Sequence, residues 1–176
     1  IITTHSSFVA NKLNLKNLIL INNQEIFPLS SLSEETYSFF EKLPGYETLR
    51  LLLCRKAILV EGPSDELIIQ RAYMDKNENT LPIEEEIGVI SVGLTFKRFL
   101  EVAAIIEKPV AVVTDNDGDY KNKINKKYRE FIDSETIKIF ADERDELETL
   151  EPQIVDANKS QLRKLKNTYA KATSFR

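Results

Sequence analysis

Lys56-Ala57-Ile58-Leu59-Val60-Glu61-Gly62-Pro63-Ser64-Asp65-Glu66 carries an apolar run onto one carboxylate, through a Gly-Pro turn, and into a helix start. The run is rich in strand formers and lacks clean polar alternation, which suits a strand buried on both faces. Ser64 is a candidate helix cap, and Glu66 favours the first turn of a helix over about residues 65–74. Working outward, three more β-rich runs stand at Gly88–Val92, Val110–Thr114 and Ile137–Phe140. Between them, Leu94–Glu107 has a helical apolar face built on Phe96, Phe99, Leu100, Ala103, Ala104 and Ile106, and Lys121–Asp133 reads as a more polar helix. Strand and helix in alternation predict an α/β fold, a Rossmann-like parallel sheet flanked by helices.

In such sheets the carboxyl ends of the strands form the ligand crevice. Glu61 and Asp65 are separated by one tight turn and can face one pocket. Val110–Thr114 runs into Asp115-Asn116-Asp117, and two residues apart on an extended segment these aspartates point to the same side. Like charges that close repel unless a cation lies between them, and hard oxygen donors suit Mg²⁺ or Mn²⁺. The acidic stretch Asp145-Glu146-Leu147-Glu148-Thr149-Leu150-Glu151 follows the fourth strand. Each signal alone has a plain structural reading: a surface glutamate, a first-turn aspartate, a polar turn, a solvated acidic face. Three acidic clusters after three strands of one parallel sheet share a single explanation in a metal site. An EF-hand is excluded, because the glycine that loop needs at its sixth position comes at the fourth, as Gly118, Lys126 stands where the closing glutamate belongs, and a strand, not a helix, precedes it.

The first 54 residues differ. Leu18–Asn22 and Glu25–Leu29 flank Asn23-Gln24 as a β-hairpin, Ser33-Glu34-Glu35-Thr36 can open a helix that Pro44-Gly45 breaks, and a second helix covers Tyr46–Cys54. The 176 residues are 42% hydrophobic and 30% charged, with a net charge of −4. One cysteine, Cys54, excludes a disulfide framework and a multi-cysteine zinc site; one histidine, His5, leaves little room for histidine metal centres or a Ser-His-Asp triad. The longest apolar runs are far too short to span a bilayer, so no membrane role is expected. The net charge argues against a surface wholly built for nucleic acid but allows local basic patches. One such patch is Lys121, Lys123, Lys126, Lys127 and Arg129; another is the basic tail from Lys159 to Arg176.

Glu61-Gly62 after the first strand and Asp115-Asn116-Asp117 after a later one resemble the marks of a Toprim domain, the metal-binding fold of topoisomerases, primases and several nucleases. More narrowly, Val60-Glu61-Gly62-Pro63-Ser64-Asp65, Thr114-Asp115-Asn116-Asp117 and Thr149-Leu150-Glu151 are similar to elements of the overcoming-lysogenization-defect (OLD) nucleases, a family that includes the Gabija phage-defence nuclease. The resemblance implies two-metal hydrolysis of DNA phosphodiesters by a cytoplasmic endonuclease, with Glu61, Asp65, Asp115, Asp117, Thr149 and Glu151 as ligands of two Mg²⁺ or Mn²⁺ ions. It makes Glu61, Asp65, Asp115, Asp117 and Glu151 the catalytic carboxylates. The Lys121–Arg129 cluster is the expected DNA-backbone contact.

Ile1-Ile2-Thr3-Thr4-His5-Ser6 is similar to the last strand and switch histidine of an ABC-type ATPase head, which OLD proteins place before the Toprim domain. His5 would then sense the γ-phosphate of ATP in an intact protein that assembles as a homo-oligomer. The chain has no G-x-x-x-x-G-K-[ST] loop, so ATP is expected only through an upstream domain, and the chain is expected to be a C-terminal piece. The division implied is 1–30 ATPase remnant, 31–54 helical connector, 55–155 Toprim domain and 156–176 basic segment. The family also uses a lysine downstream of its Ser/Thr-x-Glu element; Lys159, Lys164 and Lys171 are present without a clear match. Two other classes remain open. One is a haloacid-dehalogenase-type phosphatase with Asp115 as nucleophile, although that family places its DxD on the first strand. The other is a non-catalytic interaction module.

Overall fold

The computed structural model describes residues 3, 17–22, 25–42 and 46–161. His5, the Asn23-Gln24 turn, the Pro44-Gly45 break, Lys164 and Lys171 lie outside the described residues. The chain divides into two compact units: residues 1–114 with 128–140, and residues 115–127 with 141–176.

The first unit is mixed α/β. It opens with an antiparallel hairpin of β1 (Ile19–Asn22) and β2 (Glu25–Pro28), whose Ile19, Ile21 and Ile26 are exposed. Helices α1 (Glu34–Lys42) and α2 (Tyr46–Leu53) follow, as the acidic opening and the apolar spacing predict. Then come β3 (Lys56–Val60), α3 (Pro63–Lys76), β4 (Ile87–Ser91), α4 (Phe96–Ile105) and β5 (Val110–Val113). The last strand is β6 (Ile137–Phe140). The four-stranded sheet is parallel throughout, in the order β4-β3-β5-β6. The order reverses at β3, so the carboxyl ends of β3 and β5 flank the switch point where α/β sheets bind ligands.

Ala57, Leu59, Val60, Val89, Ile90, Val110 and Val112 are buried in the sheet, each such side chain contributing roughly 1.5–3 kcal/mol for the larger aliphatics. Of the expected apolar face of α4, Phe96, Phe99, Leu100, Ala103 and Ile106 are buried and Ala104 is exposed; Val102 is buried in addition. Phe40 meets Phe99 edge to face, with ring centroids 5.2 Å apart. Glu101 of α4 accepts the Ser33 backbone N–H at 2.6 Å and the Ser33 hydroxyl at 3.0 Å, which fixes the start of α1. Lys108 is buried and donates to the carbonyls of Leu52 (3.3 Å) and Cys54, closing the end of α2 with a cation. Burial pushes its amine pKa down, partly offset by Cys54.

Two local expectations are corrected. Gly62, not Ser64, caps α3, and Pro63 takes the first helical position, where its missing N–H costs nothing. The expected helix over Lys121–Asp133 is instead one wide π turn, Lys121–Lys126, and a short 3-10 turn, Arg129–Phe131. Lys123 repels Lys126 and Lys127 at helical spacing, and Asn122 and Asn125 are poor helix formers, so the segment does not hold a regular helix.

Among the described residues of the second unit, the longest element is α5 (Leu150–Ala157), which sequence periodicity had not marked. Among the described residues, no helix is long and apolar enough to cross a membrane.

Candidate metal centre

Glu61 leaves the buried end of β3 and is half-buried. Its backbone carbonyl accepts the Gly93 N–H at 3.0 Å. Its side chain Oε1 accepts the Thr114 hydroxyl at 2.6 Å. Thr114 itself is buried at 7% exposure just beyond β5. One turn on, Asp65 reaches back so that Oδ2 accepts the Gly62 N–H at 2.8 Å. Asp65 therefore caps α3 from within its first turn. Its neighbour Glu66 sits in a fuller network. Oε1 accepts from Arg50 at 3.2 Å and Gln70 at 3.3 Å, and Oε2 accepts from Ser91 at 3.2 Å.

The second unit holds the Asp-x-Asp loop, and the central Asn116 organises it. Asn116 is fully buried. Its Nδ2 donates to the carbonyls of Asp142 at 2.8 Å and Arg144 at 2.9 Å, and its Oδ1 accepts the Gly118 N–H at 2.8 Å. The Asp117 N–H donates to the Glu148 carbonyl at 3.1 Å. Asp117 has φ +50° and Gly118 φ +73°. The extended geometry that would put Asp115 and Asp117 on one side thus ends before Asp117, because Asn116 draws the chain into a turn. Asp115 is half-buried, with Gln153 Nε2 3.5 Å from its Oδ1. Asp117 is exposed, and Lys123 Nζ lies 3.5 Å from its Oδ2. Asp119 accepts from Asn122 through side chain (2.7 Å) and backbone (3.1 Å), and these bonds lower its pKa.

The acidic stretch that follows β6 is laced by Arg144. Its guanidinium donates to Asp142 at 3.0 and 2.8 Å and to Asp156 at 3.0 Å. The Arg144 side chain, then its backbone N–H, bring the Asp142 carboxyl down to about 2. Lys159, then Arg144, lower that of Asp156. Thr149 caps α5, and its hydroxyl donates to Glu151 at 3.1 Å.

Glu61 and Asp65 belong to the first unit; Asp115, Asp117, Thr149 and Glu151 belong to the second. Among the described residues, no group of three or more histidine, cysteine, aspartate or glutamate side chains is placed to hold a metal ion. Several of these side chains take a protein donor instead. Glu61 has Thr114, Asp65 has the Gly62 N–H, Asp117 has Lys123 and Glu151 has Thr149. Within each unit taken by itself the named donors are oxygens, the donor type that suits a hard divalent cation. Of the basic cluster, Lys121, Lys123 and Lys126 are exposed in the second unit, where Lys127 is half-buried; Arg129 is exposed in the first. Lys159 pairs with Asp156.

Sequence reasoning missed Thr114 as a partner of Glu61, Asn116 as the loop's anchor, and the Arg50–Glu66–Ser91 network. A polar residue closing an apolar strand was the available signal for Thr114. None of the other contacts has a local signature.

Residues 52–117 match the family model described as "Overcoming lysogenization defect protein-like, TOPRIM domain". The match takes in Glu61, Asp65, Asp115 and Asp117 and ends before Thr149 and Glu151. No curated protein matches the chain.

Proposed function

We propose, from the premise that residues 52–117 are a Toprim domain of the OLD-like family, that the chain is the nuclease module of a divalent-metal-dependent DNA endonuclease. The observation that carries the reading is the Glu61 carboxylate, oriented by a buried hydroxyl at the switch point of a parallel sheet inside the matched region.

In this reading residues 55–155 form the Toprim domain, and Glu61, Asp65, Asp115, Asp117, Thr149 and Glu151 hold two Mg²⁺ or Mn²⁺ ions. The ions, when bound, supply electrostatic stabilisation to the scissile phosphate and its leaving oxygen. The chain supplies the rest. Asn116 keeps Asp115 and Asp117 in one loop conformation, and the Thr114 hydroxyl orients Glu61. Lys121, Lys126, Lys127 and Arg129 hold the DNA backbone, so binding falls with salt and shows little sequence preference. Lys123 joins them when Asp117 takes a cation in its place. An upstream ATPase domain of the same polypeptide, with His5 reporting on the γ-phosphate, would couple ATP to this module in a cytoplasmic homo-oligomer.

The test is nicking of supercoiled plasmid by the full-length protein with Mn²⁺. Asp115→Ala is expected to reduce nicking to background. Full activity in that variant would remove the assignment.

A further inference from the structure

We propose that Thr114 is a positioning residue for Glu61, fixing the carboxylate that the chain offers to a divalent cation. The proposal rests on the metal-binding reading above and deepens it.

Both partners of the bond are clamped. The Thr114 N–H donates to the Phe140 carbonyl at 3.1 Å, and the Glu61 carbonyl accepts the Gly93 N–H at 3.0 Å. Threonine is branched at Cβ and stiff about χ1, so the strand end dictates where its hydroxyl sits. That hydroxyl lies 2.6 Å from Glu61 Oε1 and is buried with its residue. One rotamer of Glu61 is thereby selected before any ligand arrives.

The kind of donor matters as much as its place. Glu66, five residues on, faces the Arg50 guanidinium at 3.2 Å, and its charge is already matched. A hydroxyl is neutral. It orients a carboxylate without adding a charge of its own. Partners of this sort set ligand orientation at metal sites, and their removal costs about 10–100-fold in metal affinity. The short bond between two clamped groups makes Thr114 the residue that aims Glu61, the ligand of the reading above.

The experiment measures Mn²⁺ binding to the full chain by the loss of the free-ion paramagnetic resonance signal, with circular dichroism as the check on folding. Thr114→Val keeps the shape and removes the hydroxyl; its apparent Kd for Mn²⁺ is expected to rise about tenfold or more. Thr114→Ser restores the donor and is expected to bind nearly as the native chain does. Thr114→Ala gives the same comparison if the valine variant does not fold. Glu61→Gln is the reference. If Glu61→Gln loses Mn²⁺ while Thr114→Val binds normally, the positioning role is overturned and the metal reading stands. If Thr114→Ser is as weak as Thr114→Val, the residue is merely structural and the proposal fails. If Glu61→Gln binds as the native chain does, the metal reading and the proposal fall together.

Discussion

The two units hold their carboxylates by different physics. In the first, Glu61 emerges from a sheet whose Leu59, Val60 and Val112 are fully buried, and a buried threonine aims it. In the second, Asn116, Ile124 and Leu147 are the only buried residues among those described. There Asp115 and Asp117 depend on a carboxamide, backbone bonds and ion pairs. The apolar packing beneath Glu61 is little affected by salt. A loop held partly by exposed ion pairs is sensitive to it, because ions screen such pairs.

The sharpest way to break this contrast is to damage each anchor in turn. Leu59→Ala removes a fully buried side chain from the middle of the sheet and should cost about 2–5 kcal/mol. Urea unfolding should show it as a lowered midpoint of the sheet's transition, equally at low and high salt. A normal midpoint would mean the sheet is not the first unit's foundation.

Asn116→Ala leaves the Asp142 and Arg144 carbonyls and the Gly118 N–H without their side-chain partner. An expected loss of about 1–3 kcal/mol should appear as faster hydrogen exchange in residues 115–119 and 142–148, with β3 and β5 unchanged. Equal loss of protection in the sheet would erase the distinction between the units.

The smallest effect is a titration. Asp142 ionises in the folded chain at about 2 and in an unfolded chain near 4. A depressed folded value means that the support from Arg144 is complete above pH 4 and is lost as pH falls through about 2. Amide chemical shifts of residues 142–146, followed from neutral pH into acid, should move with that low midpoint while those of β3 stay fixed. Arg144→Met should raise the midpoint toward the ordinary aspartate range. A midpoint already ordinary in the native chain would show that the ion pair carries no weight in solution.

The sheet was largely legible because its strands are short apolar runs bounded by turns. Lys56–Val60 and Ile137–Phe140 fall where the sequence places them, and Ile87–Ser91 is displaced by one residue. The candidate carboxylates were nominated because each cluster follows such a run. What the sequence could not show is what each carboxylate touches. Thr114 lies 53 residues from Glu61 along the chain, and Asn116 lies 26 from Asp142. These are long-range contacts that no local pattern encodes. The Lys121–Asp133 segment misled for a related reason: its spacing allowed a helix, but its like charges and asparagines opposed one.

The second unit is assembled from two separate stretches, since the chain leaves the first unit after Thr114, returns at Tyr128 and leaves again after Phe140. A stop codon placed just after Phe140 would therefore do more than trim a tail. It would strip Asn116 of both carbonyls that its amide group binds, so the Asp-x-Asp motif would remain in the gene product but lose its shape.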